Sequence, residues 1–261
     1  MNYQHILVTQ TDHVVSIALN RPELRNAFND VLINELTQAV NAASSSDTCR
    51  IILIKGNGKA FCAGGDLNWM KASIHASHDE NMRDAHQLSL MLQSITNSVK
   101  PVIAYVHGAV MGGGTGLVAA CDYVIADAET TFAFSEVKLG LVPAVIGPFV
   151  LAQIGVSATK AYFTTGLKFS AERALQIGLI HEIAHHEKDC EDKLKLLISN
   201  LSTGGPKAIS TIKKYISELT ELHPSKQHDL AIKTLAHVRV GQEAQDGMLA
   251  FLDKKRAPWT H

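Results

Sequence analysis

Apolar and polar positions along the chain follow two alternating periods. Residues 5–20 read as two short strands around a polar turn at 10–13, with Val15, Ile17 and Leu19 facing away from Val14, Ser16 and Ala18. Pro22 ends that pair. Asn29 or Asp30 then caps a helix on which Val31, Leu32, Leu36, Ala39 and Val40 share one face, and the Ser44-Ser45-Ser46-Asp47 cluster closes it. Residues 51–54 form a buried strand, isoleucine and leucine throughout, and Gly56-Asn57-Gly58 turns the chain. A longer, less regular helical pattern starts behind the cap Asp66 and runs to about 99. Its polar, histidine-rich break at 75–78 suits a cover over a site better than core. Residues 101–106 predict a buried strand, 116–121 a helix, 123–126 a strand and 131–134 a short extended piece. From Pro148 onward helices dominate, over 149–155, 158–165, 171–178, 187–201 and 206–222. Gly204-Gly205-Pro206 is the clearest linker, so the pattern divides into a core over 1–203 and a helical appendage over 204–261.

Two segments break the apolar pattern in the same way. In His107-Gly-Ala-Val-Met-Gly-Gly-Gly-Thr-Gly-Leu117, three successive glycines separate a strand pattern from a helix pattern; Phe61-Cys-Ala-Gly-Gly-Asp66 repeats the arrangement after another strand. Glycines strip side chains from a turn, so an anionic oxygen can approach the backbone N–H groups at the positive end of a helix. Two such donors converging on one oxygen make an oxyanion hole.

Composition narrows the field. With 24 basic and 25 acidic residues the chain has no broad cationic surface for nucleic acid or anionic membranes. Cys49, Cys62, Cys121 and Cys190 show no CxxC spacing, and the N-terminal stretch lacks a basic start followed by an apolar run, so a reduced, cytoplasmic protein is expected. The nearly charge-free stretch 101–121 contains GxxxG spacings, but Pro101, His107 and the glycines argue against a membrane span.

Other motifs are weak. Gly56-Asn57-Gly58 begins like a dinucleotide fingerprint, yet Phe61 occupies the place of the third glycine, and no P-loop sequence occurs. His181-Glu-Ile-Ala-His185 matches the HExxH zinc pattern, but in an extended segment at ~3.3 Å per residue the two histidines stand roughly 13 Å apart, and no metal is expected. No GxSxG elbow accompanies Ser135, and the apolar flanks of Cys62 point to a packed side chain. Trp69 and Met70 are either packing residues or substrate-facing ones. Glu136 stands out among the acids: buried among Phe132, Phe134, Val137 and Leu139 its proton affinity would rise, which suits a general acid or base, whereas exposed it would pair with Lys138.

Taken in order, LNRPELRNAFN, KAFCAGGDLNWMK, HGAVMGGGTGLVAACD, FAFSEVKLGLVPAVIG and FLDKKRAPW resemble the crotonase superfamily of enoyl-CoA hydratases and isomerases across essentially the whole chain. Within it NWMK, GLVAACD and FSEVKLGLVPAVIGPFV look most like the bacterial methylglutaconyl-CoA hydratases of leucine breakdown. The resemblance implies an α/β fold, a spiral of ββα turns whose helical C-terminal region builds trimers or hexamers. It places the oxyanion donors on the N–H groups of Gly65 and Gly113. Contacts to the substrate and its CoA fall on Arg25, Asn26, Ala27, Ala63, Asp66, Leu67, Trp69, Gly112 and Gly116, with Lys255 at the nucleotide end. No cofactor is implied beyond the coenzyme A of the substrate itself.

One departure matters. The two-glutamate hydratases of this superfamily carry their first glutamate where Gly116 stands here, and only the second is kept, as Glu136. Gly116 is expected to leave room for the substrate's own carboxylate. The resemblance thus favours hydration by a modified route, with two alternatives: a Δ3,Δ2-enoyl-CoA isomerase using one glutamate, and, from another class, a non-catalytic acyl-CoA binder or RNA-associated scaffold.

Overall fold

The computed structural model describes residues 3–260; Met1, Asn2 and His261, at the outer ends of the two expected segments, lie outside the described residues. β1 (Ile6–Thr11) and β2 (Val14–Leu19) form an antiparallel hairpin with Ile6 opposite Leu19, turned at Asp12 with φ 51°. α1 (Asp30–Ser45) starts where the Asn29 side chain accepts the Leu32 N–H, and it returns the chain so that β3 (Ile51–Gly56) lies parallel to β2. α2 (Leu67–Ser73) and α3 (His78–Thr96) follow, broken in the polar stretch the pattern marked, and a Ser77–Glu80 capping box reopens the helix. β4 (Val102–Val106) then pairs parallel with β3.

The winding continues through β5 (Ala109–Met111), α4 (Gly113–Ala120), β6 (Tyr123–Asp127) and β7 (Thr131–Ala133). A 3-10 turn, Glu136–Leu139, leads to α5 (Gly147–Thr165), β8 (Phe169–Ser170), α6 (Ala171–Gln176), β9 (Glu182–Ala184) and α7 (Glu187–Thr203). A six-stranded sheet runs β1-β2-β3-β4-β6-β9, parallel except at β1, and a three-stranded sheet runs β5-β7-β8. Helices fill the space against them. Leu32, Leu36 and Val40 of α1, Met91, Leu92 and Ile95 of α3, and Phe132 and Phe134 beside the small sheet meet in one core. Each such side chain contributes about 1.5–3 kcal/mol by leaving water.

Three local expectations change. β5 occupies part of the stretch read as turn, α4 begins at Gly113 rather than 116, and the two helices expected over 149–165 are one, kinked at Gly155 with φ 70°. The stretch 101–121 is divided among β4, β5 and α4, and among the described residues no helix is long and apolar enough to cross a membrane.

α8 (Pro206–Glu221), α9 (Pro224–Val240) and α10 (Gln242–Leu252) contain no buried residue, and Ile216, Leu235 and Phe251 are exposed on them. Side-chain hydrogen bonds tie this region to the core. The Arg50 guanidinium donates to the carbonyls of Ser202 (2.9 Å), Gly204 (2.6 Å) and Trp259 (2.8 Å), and Lys213 donates to the Asp122 carboxylate and to the Lys100 carbonyl. Burial raises the Asp122 carboxyl, and Lys213 counters that rise.

Candidate active site

One short parallel bridge joins the two glycine-bearing loops, and a second braces the first loop against the segment before α1. Cys62 pairs with Val110, and Phe28 pairs with Gly65. In the second bridge Phe28 N–H donates to the Gly64 carbonyl (2.7 Å) and Asp66 N–H donates to the Phe28 carbonyl (2.8 Å). A parallel bridge of this kind leaves the N–H of the residue between, Gly65, unspent. Gly113 opens α4, where the first N–H groups of a helix have no intrahelical acceptor. Among the described residues neither amide donates to a protein acceptor. Phe28 supports both sides: its backbone holds the Gly65 loop, and its ring carbons lie 3.0 and 3.1 Å from where a Cβ on Gly113 would stand.

Gly65 and Gly113 line one cavity of about 440 Å³ together with Glu136. Gly112, at φ 49°, lets the acid in close, since a Cβ there would lie 3.0 Å from Glu136 Oε1. Glu136 is half-buried, its Oε2 is shielded and has no hydrogen-bond partner, and burial raises its carboxyl above the usual glutamate range, opposed by its own backbone N–H. The neighbours differ from those expected. Phe132 and Phe134 are buried, but Val137 and Leu139 are exposed, and no ion pair to Lys138 forms. The cavity mouth carries exposed Leu67, Leu141 and Val142, an uncovered apolar rim of the kind that marks a ligand surface.

Of the residues expected at the site, Gly65, Gly113, Glu136, Ala63, Leu67, Trp69 and Gly112 line this cavity, as does Met70. Asp66 does not. It is buried, its Oδ1 caps α2 through the N–H groups of Asn68 and Trp69, and its Oδ2 pairs with Arg21 at 2.7 Å. Burial pushes its carboxyl up, but the Arg21 bond and the cap bonds outweigh that and hold it below the ordinary range. The Asn26 side chain is likewise spent, accepting from Arg21 N–H and donating to the Asn57 and Ala60 carbonyls. Ala27 is buried and its carbonyl accepts from Arg21 (2.6 Å). Arg25 is exposed in a left-handed conformation, and Lys255 is exposed and paired with Asp253 at 3.0 Å; neither lines the cavity.

Gly116 corrects an expectation outright. It leaves no room for a substrate group, because a Cβ there would meet Ile146 Cγ2 at 2.2 Å. Arg21 and Ile146 were invisible in the sequence: each acts on a partner distant in the chain. The other motifs settle into structure. His181 stacks on Tyr123 (4.6 Å) and accepts from Val124 N–H at the start of β9, and among the described residues no cluster of metal-ligating side chains forms. All four cysteines are unpaired and buried, with burial pushing Cys62 up to about 12.

The enoyl-CoA hydratase/isomerase family model matches residues 9–261. The chain belongs to that family. Its fold is the crotonase fold: it superposes on a solved enoyl-CoA hydratase from Shewanella pealeana ATCC 700345 with TM-score 0.94 at 33% identity, covering 98% of this chain and 96% of the other. It is also similar to a 2,3-dehydroadipyl-CoA hydratase of Escherichia coli (strain K12), 29% identical over 96% of each chain. A third relative is a trans-2-decenoyl-[acyl-carrier-protein] isomerase of Streptococcus mutans serotype c, 29% identical over 100% of this chain and 99% of that one. A hydratase and an isomerase are thus both named among relatives of this enoyl-CoA hydratase/isomerase family enzyme, which acts on CoA thioesters.

Proposed function

We propose that this enzyme adds water across the double bond of an enoyl-CoA. The thioester oxygen rests between the Gly65 and Gly113 N–H groups, and charge that grows on it as the enolate forms is stabilised there, each donor contributing about 3 kcal/mol in the transition state. Glu136 takes a proton from water as it attacks the β-carbon and delivers a proton to the α-carbon. One observation carries this reading: two unspent amides and a carboxylate with one shielded, unpartnered oxygen line the same apolar cavity.

The finer substrate proposal is methylglutaconyl-CoA, supported by NWMK, GLVAACD and FSEVKLGLVPAVIGPFV. Among the described residues no Lys, Arg or His lines the cavity, so the acyl chain's own carboxylate belongs at the open mouth, where water solvates it. The CoA portion runs past Ala63, Leu67 and Trp69, with Arg25 and Lys255 as exposed cations for its phosphates. The helical region 204–261 assembles trimers or hexamers, which would cover Ile216, Leu235 and Phe251; sedimentation of the intact chain as a monomer at micromolar concentration would remove that part.

A specific observation favours the isomerase as second reading: among the described residues Glu136 is the only carboxylate lining the cavity, and a single acid–base group suffices to carry a proton between two carbons. Product mass in ¹⁸O-water separates the two. Methylglutaconyl-CoA, crotonyl-CoA and a 3-enoyl-CoA are incubated with the protein; hydration adds one labelled oxygen, while isomerisation changes the double-bond position without changing mass. Tight acyl-CoA binding with no product from any of them would leave a binder, not an enzyme.

A further inference from the structure

Ile146 lines the cavity and packs on Gly116 of α4, a residue that does not line it. A Cβ at Gly116 would lie 2.2 Å from Ile146 Cγ2 and 2.6 Å from Ile146 Cβ, so Ile146 holds the volume that any larger residue at 116 needs. Neither end of the contact can give way. Gly116 lies within the buried α4, and Ile146, 2% exposed, is the cap residue of α5, its carbonyl accepting from Val150 N–H at 3.0 Å. Ile146 also lines the cavity alongside Gly112, Gly113 and Glu136. Leu141 N–H donates to the Glu136 carbonyl (3.1 Å), so the acid and this wall ride on one braced segment, 136–146.

We propose that Ile146 determines which acyl groups the cavity accepts: by filling the recess over Gly116 with hydrocarbon, it limits the bulk tolerated next to Glu136 and excludes polar groups from that side. The proposal rests on reading the cavity as an acyl site. An apolar pocket discriminates about 10–200-fold per methylene. Ile146→Ala, which leaves only a methyl, should therefore raise kcat/KM for bulkier or branched enoyl-CoAs relative to crotonyl-CoA by about tenfold or more. Ile146→Val should move the ratio the same way by less, and it serves if the alanine variant fails to fold.

Compensation supplies a second readout. Gly116→Ala alone should lower Tm, and adding Ile146→Ala should restore much of that loss while returning acyl preference toward wild type, because the methyl at 116 re-enters the recess. Affinities for butyryl-, isovaleryl- and octanoyl-CoA, measured by calorimetry on each variant, need no turnover. If wild type processes no enoyl-CoA, the hydratase reading falls while this series still decides the role of Ile146. Acyl preference unchanged from wild type in both Ile146 variants, or no recovery in the double variant, would overturn the proposal.

Discussion

In Glu136→Gln the side chain keeps its length and loses its charge, and two consequences should move in opposite directions. Glu136 is held with Oε2 unpartnered, and burial raises its carboxyl pKa. An acid with a raised folded pKa binds its proton more readily in the native chain than in the unfolded one. The native state is therefore favoured most below the unfolded pKa and loses stability as pH rises through the folded one. Above the folded pKa wild type bears the cost of a desolvated carboxylate. An unsatisfied buried acceptor costs about 1–3 kcal/mol, and the positive end of α4 beside it returns ~0.3–1 kcal/mol. The balance is about 1 kcal/mol, which a neutral amide recovers in large part. For a chain of this size that corresponds to a gain of ~2–4 °C in Tm.

Turnover should fall meanwhile by about 10²–10⁴-fold, the contribution of a positioned acid–base group. Wild-type kcat/KM should decline on the acid side through a pKa above that of an ordinary glutamate, and the residual rate of the variant should lack that limb. The assays are product mass on an enoyl-CoA and thermal unfolding at pH 5 and pH 8, where the variant's Tm advantage should widen at the higher pH. A variant keeping more than about a tenth of wild-type activity would refute the acid–base role. A Tm advantage that is absent, or that shrinks as pH rises, would refute the electrostatic account.

Phe28→Ala removes the ring beneath Gly113 and should cost about 3–5 kcal/mol in urea unfolding, with kcat down about 10²-fold in the folded fraction. Phe28→Leu should retain most of both. Arg21→Ala leaves Asp66 buried without its cation and should cost about 3–5 kcal/mol at pH 7. Because the depressed Asp66 pKa adds stability above the unfolded value that is lost as pH falls through the folded one, the deficit should shrink on acidification in pH-dependent denaturation curves. Arg50→Ala strands three carbonyls and should speed limited proteolysis near 203–206 while leaving the unfolding of the sheet core little changed. Lys255→Ala should raise KM for CoA substrates with kcat held.

Local chemistry was the legible part. Asn29 and Asp66 are caps because their short polar side chains reach N–H groups two or three residues on, which spacing alone reveals. The glycine loops announced themselves by the side chains they lack, and the break expected near 155 survives as the Gly155 kink. β5 was missed because Ala109-Val-Met111 is too short to show a period and earns its strand character from β7 alongside. The partner of the Asp66 side chain, Arg21, lies on a different loop, and nothing near Gly116 in the chain hints at Ile146, which fills the space over it. Pairings of that kind are made by the winding of the chain, and a linear pattern does not carry them.

The grip of Arg50 on Ser202, Gly204 and Trp259 gathers both feet of the last three helices onto one guanidinium. A segment moored at a single end could be paid out like a strap toward a neighbouring molecule. One moored at both cannot, and its reach into any assembly is limited to the span of the helices themselves.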